Sequence, residues 1–192
     1  MGEEADLAES LIATRQNILP KRLVEPGPDA QQTVQIFRAA AAAPDHGELV
    51  PWRFVLVPAH KRVDLAEVFA LALTDRDPAA TARQIEDARA KAYRAPFLLL
   101  AVARLGPREP DIPALERMVS LGCAIQNMLL SAHSMALGSG LTSGRAMTSP
   151  RMRALFQLQD HEQAVCFVNI GTVSRRKPTR LRPDASEFVS SL

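Results

Sequence analysis

Two cysteines, Cys123 and Cys166, are the only thiols in 192 residues, too few for a disulfide framework or a zinc ligand set. Cys123 lies in a long apolar run and Cys166 in a predicted strand, so both read as core thiols of a reducing compartment. A strong field of one sign is also missing. Twenty-three basic against 21 acidic side chains leave a formal net charge of +2, which by itself argues for neither nucleic acid nor a membrane surface as partner. No run is long and apolar enough to span a bilayer, and no basic stretch precedes an apolar one at the N-terminus. No signal peptide is therefore expected, and the cytoplasm is the expected location. Nucleotide fingerprints are absent: Gly138-Ser139-Gly140 lacks a third glycine and follows a predicted helix rather than a strand, and there is no P-loop. Ser143 and His46 sit in no nucleophile-elbow context, so a hydrolase lacks its signature.

What is present is the balance of a globular protein, 47% hydrophobic and 23% charged, and residues 1–192 read as one domain. The chain is organised around Ala42 to Phe54, A-A-P-D-H-G-E-L-V-P-W-R-F. Pro44 stops an alanine-rich helix because it disfavours helical dihedrals in the preceding residue and has no amide hydrogen. Asp45, His46 and Gly47 place two titratable side chains and a flexible residue on a loop before a strand running to Val57. That loop reads either as a place for chemistry or as an ordinary connection with a capping Asp.

Apolar spacing predicts a first helix over Asp6 to Thr14, with Leu7, Leu11 and Ile12 on one face, ending in Arg15, Gln16 and Asn17. A second helix, capped by Asp29, carries Val34, Phe37 and Ala41 toward Pro44. Lys61 to Thr74 and Ala79 to Tyr93 are expected as helices, the latter capped at Asp77-Pro78, and the pair as a solvated region without readable specificity. Phe97 to Ala103 lacks alternation and is expected as a central strand covered on both faces. After a proline-bearing loop, Ala114 to Ala136 is the longest helical pattern. Its Leu121 to Ile125 stretch is apolar nearly all round, pointing to a buried helix or a subunit contact. Gly138 to Gly144 is expected as a flexible polar loop, Pro150 to Phe156 as a short helix, and Ala164 to Ile170 as a buried strand ended by Gly171.

Three polar loops stand out, Arg15 to Asn17, Asp45 to Gly47 and Leu141 to Gly144, with a basic tail that includes Arg175, Arg176, Lys177, Arg180 and Arg182. Guanidinium forks and small hydroxyls are what a phosphorylated cofactor with a ribityl or ribose chain needs. In extended chain Arg180 and Arg182 point to the same side and can grip one anion; the other reading is a solvated basic tail.

Taken together, E-P-G-P at Glu25 to Pro28, A-P-D-H at Ala43 to His46, P-W-R-F at Pro51 to Phe54, R-A-P at Arg94 to Pro96, G-C-A at Gly122 to Ala124, T-S-G at Thr142 to Gly144, and Gly171-Thr172 resemble, in order and spacing, the FMN-dependent nitroreductases of the small single-domain branch. The resemblance runs from about Leu11 to Val189. It implies an α+β fold with a mixed β-sheet flanked by helices, an intertwined homodimer with FMN at the subunit interface, and ping-pong reduction of nitro-aromatic, quinone or similar acceptors with NADH or NADPH as donor. It places Arg15, Gln16 and Asn17 at the flavin phosphate and ribityl chain, where the family usually has Arg-Arg-Ser. Ala42 falls at a flavin contact, and His46 matches the histidine that reaches FMN from the partner subunit. Leu141, Thr142 and Ser143 flank the isoalloxazine, Leu141 standing where an aromatic residue is common. Arg180 and Arg182 fall on the phosphate, and Ser131 to Ala136 matches a stretch linked to the nicotinamide nucleotide. No catalytic side chain and no metal are implied, since the cofactor carries the hydride. The alternative is a flavin- or nucleotide-binding module without turnover.

Overall fold

The computed structural model describes residues 2–106, 111–176, 178 and 181–192. Its centre is a five-stranded sheet in which β5 (Glu162–Val173) and β3 (Phe97–Arg104) pair antiparallel. β2 (Trp52–Leu56) extends the sheet beyond β3, while β1 (Leu23–Val24) and β4 (Gly138–Thr142) both pair with β5. All these pairs are antiparallel; among the described residues the parallel component is the bridge of Asn17 to Ser139.

Strand alternation divides the core between the two faces. Leu99, Ala101 and Ala103 with Cys166, Val168 and Ile170 pack on α2 (Ala30–Ala41) and α5 (Ala114–Ser134). Leu98, Leu100, Val102 and Phe167 pack instead on α3 (Arg62–Arg76), α6 (Pro150–Leu155) and the turns beside them. A strand sandwiched this way must be apolar on both sides, which is why Phe97 to Ala103 shows no alternation. Burial pushes the Cys166 thiol up to about 11, so it is an inert core group.

Several boundaries differ from those the sequence suggests. The helix placed at Ala79 to Tyr93 is α4 (Ala82–Ala90) plus a single turn at Lys91–Tyr93, and Thr81 caps it reciprocally with Gln84 in place of Asp77-Pro78. Gly138 to Gly144 is not a flexible loop: its first five residues are β4. A Cβ on Gly138 would meet Val173 and Leu23, so this glycine marks tight packing rather than freedom. Gly171 likewise continues β5 to Val173, because Pro96 lies where its side chain would be. α1 (Glu3–Thr14) starts earlier and buries none of its residues, leaving Leu7 62% and Ile12 57% exposed. In α5, Leu121, Ala124 and Ile125 are buried, but Gly122 faces open space.

Two buried charges tie the layers together. The Arg62 guanidinium donates to the carbonyls of Val57, Ala92, Ala95 and Pro96, joining the start of α3 to the approach to β3. Glu162, 5% exposed, accepts 2.8 Å bonds from Arg53 Nε and Nη2 and a 3.2 Å bond from the Gln159 N–H, with Arg104 Nε at 3.5 Å. The Arg53 bonds outweigh burial and hold its carboxyl down at about 2. A carboxyl depressed on folding stabilises above its unfolded value near 4.3 and loses that contribution as pH falls toward about 2. We expect Glu162→Gln to cost about 2–3 kcal/mol at pH 7, since it leaves Arg53 without its counter-charge. Urea unfolding at pH 7 and pH 3 should show the gap between native chain and variant narrowing in acid.

Candidate functional site

The segment after α1 lies against the edge of β4. The Ile18 N–H donates to the Ser139 carbonyl at 2.8 Å, and the Leu141 N–H donates to Asn17 Oδ1 at 3.0 Å. This approach requires Gly140, where any Cβ would fall on the Ile18 carbonyl oxygen. Below it, Asn169 Nδ2 donates to the Gly140 carbonyl at 3.1 Å and to Thr142 Oγ1 at 3.0 Å, and the Ser143 hydroxyl donates to the Val165 carbonyl at 3.1 Å. Two stretches 124 residues or more apart, Arg15 to Asn17 and Leu141 to Ser143, thus form one wall.

At the α1 end of this wall Arg15, Arg176 and Arg182 gather positive charge. Arg15 Nε is buried with no hydrogen-bond partner among the described residues, and burial first, then the charge of Arg182, lowers its pKa. Arg182 Nη2 donates to the Arg15 carbonyl at 3.1 Å. Near the end of α5, in the Ser131 to Ala136 stretch, His133 Nε2 lies 2.9 Å from Thr14 Oγ1. Burial, then Arg176 and Arg15, depress the His133 ring below its ordinary value. Gln16 is half-buried in a recess with His133, Gly138 and Arg176. A cluster of this kind favours an anion, which would relieve both the repulsion and the unpartnered Nε. Arg180 and Lys177 lie outside the described residues.

At the other end, Thr142, Ser143 and Gly144 form the rim of a cavity of about 720 Å³. Phe69, Leu73, Leu98, Met147 and Phe167 supply its apolar surface, and Lys21, Arg76, Lys91, Arg94 and Arg145 its charge. These cations come from four separate segments and form no motif, so only the tertiary fold brings α3 and α4 over the wall.

Ala42 and His46 are exposed and stand apart from this group. Asp45 shapes their loop by accepting from the Leu49 and Val50 N–H groups, which holds Glu48 and Val50 at φ of 51° and 45°. His46 Nδ1 lies 2.7 Å from Glu116 Oε2 on the first turn of α5. His133 is on its last turn. The rise along the helix separates Glu116 from His133 by about 25 Å, so His46 and the cluster around Arg15 lie at opposite ends of α5.

The family model described as Nitroreductase family matches residues 23–172. The chain belongs to the nitroreductase family. This nitroreductase is 30% identical over 186 residues to a Haemophilus influenzae protein provisionally named NAD(P)H nitroreductase, with 96% of this chain and 99% of that protein covered. It is a nitroreductase-type oxidoreductase. The solved structure of a nitroreductase-like family protein from Bacillus cereus matches with a TM-score of 0.81 at 19% identity, covering 100% of this chain and 98% of that one. A Clostridium difficile protein described as an FMN-dependent nitroreductase matches with a TM-score of 0.62 at 16% identity, covering 93% and 92%. Likeness at these identities concerns the fold.

Among the described residues no His, Cys, Asp or Glu group is placed to hold a metal ion, and no helix is long and apolar enough to cross a membrane. The wall itself is testable. Gly140→Ala should push Asn17 and Ile18 off β4 and cost about 1–3 kcal/mol, read as a lower urea midpoint with an unchanged slope.

Proposed function

We propose that this nitroreductase is an FMN-dependent NAD(P)H oxidoreductase that works as a homodimer, with each flavin held between two subunits. The observation that carries the reading is the buried, partnerless Nε of Arg15 beside Arg182, a site short of one anion. The residues present fit the cofactor. Arg15 and Arg182 face its phosphate, with Arg180 assigned to the same group by resemblance. Gln16, Asn17, Thr142 and Ser143 offer amides and hydroxyls along the ribityl chain and ring, and the Leu141 backbone, held by Asn17 Oδ1, supports the ring edge. When bound, FMN supplies hydride transfer from NADH or NADPH to a nitro-aromatic, quinone or similar acceptor. The chain's own part is to bind, orient and exclude water, and its described side chains include no acid and base pair set at this wall.

Unpartnered apolar surface supports the dimer. α1 buries nothing within its own chain, Leu115 and Val119 on α5 are 80% and 67% exposed, and Phe188 and Val189 in the tail are 70% and 62% exposed. Patches of this kind belong to interfaces. With His46 about 25 Å along α5 from the Arg15 cluster, Ala42 and His46 are assigned to the flavin of the neighbouring subunit.

FMN titration should quench flavin fluorescence at micromolar protein, and NADH or NADPH should bleach the bound flavin. Arg182→Ala should weaken FMN by about 1.5–3 kcal/mol and riboflavin far less; equal losses would remove Arg182 from the phosphate. Arg15→Ala and His46→Ala, each inactive alone, should regain activity when mixed under subunit exchange, because one site of the heterodimer is then unmodified. Absence of complementation despite proven exchange would overturn the shared site.

A further inference from the structure

The cavity beyond Ser143 carries more positive charge than a flavin ring calls for. Lys21, Arg76, Lys91, Arg94 and Arg145 line it, and among the described residues no carboxylate does. The acidic side chains nearest to hand on α3 are committed elsewhere: Glu67 to Arg89 at 2.7 Å and Asp75 to Arg151 at 2.6 Å. None of the five lining cations forms an ion pair among the described residues. The phosphate of the proposed cofactor is accounted for at Arg15 and Arg182, on the far end of the wall. Apart from Thr142, Ser143 and Asn169 the remaining lining is apolar, with Phe69 edge to face on the buried Phe167 at a centroid distance of 5.8 Å.

We propose that this cavity selects aromatic electron acceptors that carry a carboxylate. The inference rests on the oxidoreductase reading above and adds the substrate class. The planar body of such a molecule lies on the partly exposed Phe69 and Leu73, and its carboxylate is drawn to Arg76 and Lys91, which project from α3 and the turn after α4. Converging cations around an apolar floor raise the local concentration of an anion and fix which end of it enters first. A neutral acceptor of the same size gains the apolar contact alone.

The test compares 4-nitrobenzoate with 4-nitrobenzamide, alike in shape and different in charge. With the FMN-loaded protein in low salt, kcat/KM for the acid should exceed that for the amide by about tenfold, and 0.5 M salt should bring the ratio toward one by screening. Arg76→Gln and Lys91→Gln, surface changes away from the core, should each lower the ratio about two- to fivefold. Equilibrium dialysis of the two compounds against the same protein without donor reads the preference independently of turnover. Equal binding of acid and amide, or a preference that both variants leave unchanged, would overturn the proposal even in an active flavoprotein. If the protein takes up no FMN, the oxidoreductase mechanism fails while the dialysis still decides whether the cavity prefers the acid.

Discussion

The contact on which the functional part of this structure depends is the seating of Asn17 and Ile18 on β4. The Ile18 N–H, the Asn17 carboxamide and the missing side chain of Gly140 together let a segment from the N-terminal end lie beside a strand from the C-terminal half. Without that approach the Arg15 cluster and the Thr142 to Gly144 rim would be separate pieces of surface. Asn169 braces the strand from below by bonding both the Gly140 carbonyl and the Thr142 hydroxyl. A buried amide that satisfies two partners rigidifies the wall from which the site is built.

α5 plays the complementary part by setting distance. Its first turn holds Glu116 against His46 and its last turn places His133 beside Thr14, so one rigid helix keeps the two groups of family-matched residues apart. The same helix leaves Leu115, Val119 and Gly122 facing outward while Leu121, Ala124 and Ile125 fill the core. Separation within one chain and unsatisfied apolar surface on that chain are the two observations from which the homodimer is proposed. Charge follows a related logic: each end of the wall is positive, one end compact and half-buried around Arg15, the other open and lined by apolar rings.

Much of the scaffold was legible in the residues. Asp29, Pro44 and Pro150 mark helix ends through capping and the missing amide hydrogen, and the unbroken apolar run at Phe97 announces a strand covered on both faces. The order of short motifs pointed to the family that the match over residues 23–172 then showed. Misreadings fell where one residue type serves two ends. Gly138, Gly140 and Gly171 suggested a loop and a strand end, yet they are glycines because neighbouring chain occupies the space of a side chain. Glu162 hid the first residues of β5, since a carboxylate reads as surface until Arg53 is seen to pair with it.

Local chemistry and periodicity therefore determined the elements, their order and the polar loops, because capping, proline geometry and apolar spacing act within a few residues. Tertiary structure alone decided which of those loops meet. That the Arg15 Nε lacks a partner among the described residues, that His46 points to another part of the surface, and that Lys21, Arg76, Lys91, Arg94 and Arg145 share one cavity are facts of distance between remote segments. Such distances follow from how two layers of helices close over a sheet, and no stretch of sequence short enough to read as a motif contains them.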